Sequence, residues 1–398
     1  MVAKIICLIL MKILILIVLC EGFSANNLTL KQVLILSRHN IKYPWSNVLH
    51  KYSSKPWPPQ AGASEVLTPK GAQLEGYMGE YFSEWFKKEH FLPEGCPDED
   101  TVYVYANAAS RTKATARAFV DSAFKSCNVS VLYHKNLTDW DPLFRFVVYN
   151  STEAYKDKVL QEINRKLRNN PKLLAVYSEL NKILEIEDSQ VCKQDGICDL
   201  TQSNDTVSYE VGKFVVIEGP FRKAYLVVNA FVMNYYNGMP IQDIAWGQVT
   251  TLEKWNLITE VTRLNQVIRF TTVADREAPL VKYLIKTFKE YDEMPKLMLL
   301  VGHDINLNCV ANALGFKSID LPNQFEKYPI GGKIVFQRWT DSKSDYLKVE
   351  YVYPSWSQLR NGSKYSLESP PQTVVMRLNW CNTDEHGFCP WNEFVDKL

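Results

Sequence analysis

KQVLILS, residues 31–37, is a short run of leucine and β-branched residues that ends abruptly in the polar RHNIKYP of residues 38–44. It is too short and too continuously apolar for an amphipathic helix and reads as a buried strand of a parallel sheet. Two further runs have the same character, TVYVYA at 101–106 and LMLLVG at 297–302. Segments of helical periodicity follow all three, at 71–88, 111–124 and 305–314. Strand-then-helix repetition implies an α/β fold with a mostly parallel sheet flanked by helices. Nearer the C-terminus, 333–339, 347–353 and 373–378 are strand-like with hairpin spacing and are expected to extend one side of that sheet.

The stretch 141–247 differs: 155–167, 172–184 and 222–236 carry helical patterns with charged faces in the first two. It reads as a mainly helical cap inserted between two parts of the core, 25–140 and 248–398. No repeat or Pro/Gly/Ser linker divides the chain further.

Composition fits one globular chain of 398 residues, 46% hydrophobic and 22% charged. Forty-five Lys and Arg against 44 Asp and Glu leave a formal charge of +1, without a long basic run, so nucleic acid is not an expected partner. Residues 1–24 look like a signal peptide: Lys4 and Lys12 are basic, 13–19 are apolar, and Gly22 and Ser24 suit cleavage after Ser24. Lys12 and Glu21 interrupt the apolar stretch, which falls short of the ~20 residues that a membrane span needs. A secreted protein is expected, extracellular or lumenal, or periplasmic in a bacterium.

Cysteine usage agrees with export. Without Cys7 and Cys20, seven of the nine cysteines remain. Cys192 with Cys198, Cys381 with Cys389, and Cys96 with Cys127 are the suggested pairs, although six cysteines allow about 15 connectivities. Cys309, in an apolar helical stretch, reads as a buried thiol outside these pairs. Neither zinc-type spacing nor H-E-x-x-H occurs, so no metal is expected. Six N-x-S/T sequons, at Asn27, Asn128, Asn136, Asn150, Asn204 and Asn361, favour a eukaryotic secretory route over chance abundance of these residues.

All three strands end in unusual polar residues: Arg38, His39, Asn40 and Lys42 after the first, Asn107, Ser110 and Arg111 after the second, His303 and Asp304 after the third. In open α/β sheets the ligand crevice lies beyond the carboxyl ends of the strands, so these clusters are expected to converge. Two Arg, one Lys and two His make a cationic hollow suited to phosphate, since guanidinium offers paired N–H donors. A neutral imidazole attacks phosphorus there to give a phosphohistidine, which water then hydrolyses, while Asp304 protonates the leaving oxygen and later activates the water. Each piece alone has a plainer explanation. Asp304 or Ser110 suffices as a helix N-cap, and a single His after a strand is more often structural. Their joint occurrence at three strand ends favours the chemical reading.

RHNIKYP resembles the R-H-G-x-R-x-P signature of the histidine acid phosphatases, and VGHD at 301–304 resembles their second histidine-aspartate element. Within that family the chain is most similar to the bacterial periplasmic glucose-1-phosphatases, through QVLILSRHN, GYMGEYFSEWF, VYVYANAASRTKATARAF, AWGQ, LVGHDINL, PIGGKIVFQRWTDSK and EHGFCP. The resemblance implies a phosphoglycerate-mutase-like core with a cap and no cofactor. It implies His39 as nucleophile and Asp304 as proton donor, with Arg38, Arg111 and His303 on the phosphate. Asn40, where most members have Gly, matches the glucose-1-phosphatase group. Lys42 stands where the signature has its second Arg; it keeps the charge and loses the planar fork, so weakened phosphate binding or turnover is expected.

The implied activity is phosphomonoester hydrolysis, with a small sugar phosphate such as glucose 1-phosphate as substrate. Phytase or broad acid phosphatase activity is the alternative, and a secreted phospho-ligand binder with weakened turnover is another. A phosphohistidine mutase fits an exported chain poorly. Oligomeric state is not legible. Trp57, Trp246 and Trp255 read as core more readily than as a sugar pocket, Glu218 as a candidate selector in the cap, and Pro329–Gly332 as a turn without chemistry.

Overall fold

In the computed structural model, seven strands among the described residues form one mixed sheet: β1 (Thr29–Arg38), β2 (Val102–Ala106), β3 (Leu297–Gly302), β4 (Lys333–Thr340), β5 (Asp345–Tyr353), β6 (Gln372–Val375) and β7 (Cys389–Pro390). The structure describes residues 28–398 apart from 139, 147–151, 169, 211–212, 272–275 and 342, and the side chains of 269–271. The expected signal peptide at 1–24 and the sequons at Asn27 and Asn150 lie outside the described residues.

The strand order is β2-β3-β1-β4-β5-β6, with β7 paired to β5. β2, β3 and β1 run parallel, whereas β4, β5, β6 and β7 pair antiparallel. β4 and β5 pair antiparallel because the few residues between them suffice for a hairpin and not for a crossover. Burial explains the leucine-rich runs: Val33 to Leu36 are at most 1% exposed, and all six residues of β3 are buried. β2, at the sheet edge, alternates buried Val102, Val104 and Ala106 with half-buried Tyr103 and Tyr105.

Helices Pro69–Lys88 and Ser110–Ala123 follow β1 and β2, pack on each other, and carry the site loops at their N-terminal ends. The first begins where Thr68 Oγ1 accepts from Gly71 N–H at 2.9 Å, ahead of Pro69 in the first turn. Gly71 is needed for close approach, since a Cβ there would lie 2.4 Å from the Ile41 carbonyl oxygen. Asp304–Ala313 follows β3.

Between β2 and β3 lie the helices Glu153–Leu167, Pro171–Leu184, Pro220–Tyr236, Leu252–Ile258, Glu260–Thr271 and Pro279–Lys289. Pro220–Tyr236 is buried at every position from Leu226 to Tyr236, which a helix achieves only when neighbours surround it. Those neighbours include Pro171–Leu184 and Glu260–Thr271. Disulfides join Cys96 to Cys127, Cys192 to Cys198 and Cys381 to Cys389, the three suggested pairs, and Cys309 is buried in its helix outside them. No helix of the described residues is long and apolar enough to cross a membrane.

Candidate active site

Register brings the three strand ends level. Arg38 of β1 lies opposite Gly302 of β3, and Ala106 of β2 opposite Val301. The ladder runs one residue further on each side: His39 N–H donates to the Gly302 carbonyl at 3.0 Å, and Asn107 N–H to that of Val301 at 2.9 Å. His39, Asn107 and His303 therefore leave the sheet at one edge.

The two histidine rings meet edge-on, their centroids 5.3 Å apart, and both residues are buried. His39 Nδ1 lies 2.8 Å from the Asn40 carbonyl oxygen. A carbonyl only accepts, so Nδ1 carries the proton and Nε2 the lone pair. Burial, reinforced by the charges of Arg111, His303 and Arg38, holds the imidazole pKa well below its usual value. His303 has the opposite tautomer problem and solves it through Asn107. The Asn107 Oδ1 accepts from Ala108 N–H and Asp141 N–H, both at 2.8 Å, which fixes the amide so that Nδ2 donates to His303 Nε2 at 2.7 Å. His303 Nδ1 then bears the hydrogen, 3.5 Å from Arg111 Nη2. Two donors side by side present themselves to one anionic oxygen.

Arg38 is aimed by Glu326, whose Oε1 lies 2.7 Å from Nη1, and by the Tyr328 carbonyl at 2.5 Å. Its Nη2 is 3.7 Å from Asp304 Oδ2. Burial pushes the Glu326 carboxyl up while Arg38 pulls it back. Lys42 pairs with Glu65 and lies over the Trp45 ring at 4.6 Å; burial lowers its pKa against the pull of Glu65. Arg111 Nη1 lies 3.3 Å from the other Glu65 oxygen. All six predicted site residues thus meet in one region.

Asp304 is the first residue of its helix; the cap position is His303, whose N–H donates to Asn306 Oδ1 at 2.9 Å. Asp304 Oδ1 accepts from Ile305 N–H and Oδ2 from Gln266 Nε2, each at 2.9 Å. Ser110 likewise opens its helix rather than capping it, Ala109 being the cap. Neither capping alternative describes the structure.

Sequence reasoning missed Glu65, Glu326, Gln266 and the buried support behind His39. There, Asn40 Nδ2 donates to Glu75 Oε2 at 2.8 Å, and Lys333 Nζ to Glu75 Oε1 at 2.7 Å and Ser37 Oγ at 2.8 Å. The turn left without chemistry belongs to this support: Gly331 N–H donates to the His39 carbonyl at 3.2 Å, and Arg38 N–H to that of Gly332 at 2.9 Å. Gly331 has φ +68°, and a Cβ there would lie 2.8 Å from Asn40 Nδ2. Beside His303 stands Trp140, ring centroids 4.6 Å apart, backed by Phe214 and Phe146. Trp57 and Trp246 pack on each other, and Trp255 on Phe325 in the core. Glu218 is exposed and pairs with Arg222. Among the described residues no three His, Cys, Asp or Glu side chains are grouped to hold a metal ion.

The chain matches the histidine phosphatase superfamily (branch 2) over residues 11–353. It is 39% identical over 379 residues to a glucose-1-phosphatase of Providencia rettgeri, covering 92% of this chain and 91% of that protein. It is 38% identical over 384 residues to a glucose-1-phosphatase of Salmonella typhimurium, covering 94% and 92%. The solved apo phytase of Hafnia alvei superposes with a TM-score of 0.84 at 25% identity, over 94% of this chain and 97% of that one. The registered strand ends, the facing histidines and these likenesses lead to one assignment: the chain belongs to branch 2 of the histidine phosphatase superfamily.

Proposed function

We propose that the protein is a phosphoric monoester hydrolase acting through a phosphohistidine, with a hexose 1-phosphate as substrate. The observation that carries the mechanism is the tautomer of His39: the Asn40 carbonyl holds the proton on Nδ1 and leaves Nε2 as the nucleophile. Burial and neighbouring cations keep that imidazole neutral as pH falls.

In the first step Nε2 forms a bond to phosphorus while the ester P–O bond breaks. The electron pair goes to the leaving oxygen, which takes a proton from Asp304. Arg38, Arg111, Lys42 and His303 Nδ1–H neutralise charge on the other phosphoryl oxygens. In the second step water attacks phosphorus, its proton passes to the Asp304 carboxylate, and the P–N bond breaks to restore His39 and free phosphate. Because the acid must hold its proton when the ester bond breaks, turnover is expected in acid.

Substrate choice rests on the surroundings of His303, where Trp140, backed by Phe214, sets an aromatic rather than a cationic ring beside it. That suits one sugar face better than a polyphosphorylated inositol. The relatives named glucose-1-phosphatase support the same choice. The phytase alternative draws on the likeness to phytase structures. We also read residues 141–247 as the cap and the protein as secreted.

Hydrolysis of p-nitrophenyl phosphate near pH 5 by the wild type, lost in His39→Ala, is the expected result; turnover that survives His39→Ala overturns the mechanism. Glucose 1-phosphate is expected to exceed phytate in kcat/KM, and the reverse order selects the phytase reading. Phosphate binding without turnover selects the binder.

A further inference from the structure

We propose that Glu65 is an internal competitor for the phosphate site, an affinity-setting residue whose carboxylate takes the cations that a phosphate dianion would use. The inference rests on the phosphatase reading above and adds to it a residue that the strand-end motifs do not contain.

Three observations carry it. First, the two oxygens of one carboxylate are divided between two of the site cations: Oε1 pairs with Lys42 Nζ, and Oε2 lies 3.3 Å from Arg111 Nη1. Both partners are nearly buried, with side chains 7% and 14% exposed, while Glu65 at 23% is the outermost of the three. Two anionic oxygens bridging adjacent cations is also how phosphate sits in such a cradle.

Second, the carboxylate is delivered there by backbone. Residues 41–43, which run on from His39, pair antiparallel with 65–68: Thr68 N–H donates to the Ile41 carbonyl at 2.8 Å, Tyr43 N–H to that of Val66 at 2.9 Å, and Glu65 N–H to that of Tyr43 at 3.0 Å. The nucleophile segment and Glu65 therefore form one small ribbon, which holds the Glu65 backbone beside Lys42 while its side-chain torsions leave the carboxylate free to be displaced.

Third, Glu65 has φ +68°. Glycine or asparagine takes this left-handed conformation most readily, and a glutamate held in it marks a side chain kept for what it touches.

The consequence is electrostatic. A phosphate dianion arriving at Lys42 and Arg111 either displaces the carboxylate or binds beside it against like charge. Both lower the affinity for substrate and for product phosphate alike. Lys42 suits this arrangement, since an ammonium on a flexible stem changes partner more easily than a planar fork does.

The test compares wild type, Glu65→Gln and Glu65→Gly for the KM of p-nitrophenyl phosphate and the competitive inhibition constant of inorganic phosphate. Both constants are expected to fall together in Glu65→Gln, on the order of tenfold, with kcat changed less than about threefold. Glu65→Gly removes the charge and the left-handed strain together, so it serves even where the Gln variant folds poorly, and the same fall is expected. Constants that stay level or rise in both variants overturn the inference, because Glu65 then merely holds Lys42 and Arg111 in place. His39→Ala separates the two levels. Turnover that needs His39 while the phosphate constant is insensitive to Glu65 sinks only the inference; wild type without His39-dependent turnover sinks the phosphatase reading and the inference with it.

Discussion

Asn107 donates to His303 Nε2 at 2.7 Å and so ties the end of β2 to the end of β3 while setting which ring nitrogen of His303 carries the hydrogen. Its own carbonyl is committed to Ala108 and Asp141, so the amide has no freedom to flip. Asn107→Asp keeps both of those acceptor contacts and reverses only the face toward His303. The imidazole hydrogen is then drawn to Nε2, and Nδ1 no longer donates into the site. Loss of one positioned donor is expected to lower kcat/KM by about 100-fold. A variant that folds normally and keeps its activity to within about threefold contradicts this role.

Lys42→Arg puts a planar fork where the family signature has one. Gaining a second N–H donor toward phosphate is expected to raise kcat/KM by roughly three- to tenfold. Steady-state kinetics on p-nitrophenyl phosphate reads the result directly, and no gain shows the ammonium to be an adequate substitute.

Arg38 and Glu326 form a buried pair, their side chains 4% and 0% exposed. Removing one partner strands the other charge, so Glu326→Ala is expected to cost about 3–5 kcal/mol and to cut activity, because Arg38 loses the contact that aims it. Glu326→Gln retains a hydrogen bond and is expected to cost less. Urea unfolding of both variants decides the matter, and a loss below about 1 kcal/mol in Glu326→Ala refutes it.

Asp205 accepts from Phe221 N–H at 2.8 Å at the start of the Pro220–Tyr236 helix. Burial pushes its carboxyl up to about 6. Between an unfolded value of about 3.9 and that figure the folded state holds more protons, so this group's contribution to stability is complete below the window and lost as pH rises through it. Asp205→Asn keeps an acceptor for Phe221 and never ionises. Its melting temperature is expected to exceed the wild-type value at pH 7 by a few degrees and to match it near pH 4. Equal differences at the two pH values argue against a titrating Asp205.

What the sequence disclosed, and what it concealed, has a physical basis. A strand buried on both faces must be continuously apolar, so KQVLILS, TVYVYA and LMLLVG stand out, and a polar residue directly after such a run has to leave the sheet. Parallel pairing with matched ends then collects Arg38, His39, Asn107, Arg111, His303 and Asp304. Glu326 had no such flag: it lies 288 residues from Arg38 on an irregular segment, and only the folded path brings the two together. Glu65 was hidden for another reason, since a left-handed φ at a non-glycine residue leaves no trace in composition or periodicity. Pro329–Gly332, read as a turn without chemistry, is a turn and leads into β4, but its hydrogen bonds to the nucleophile segment use main-chain atoms, which every residue type shares.

The placement of β1 has a kinetic consequence. β1, the first of the described strands, lies in the interior of the sheet, and both of its neighbours, Leu297–Gly302 and Lys333–Thr340, come from the last third of the chain. A nascent polypeptide therefore carries an unpaired hydrophobic β1 through most of translation and cannot assemble the catalytic pocket until Thr340 has emerged. C-terminal truncations ending before Lys333 are expected to be inactive and chaperone-bound rather than merely destabilised. A ribosome-stalled length series assayed by limited proteolysis would reveal protection of β1 appearing in one late step, and gradual protection from early lengths would contradict it.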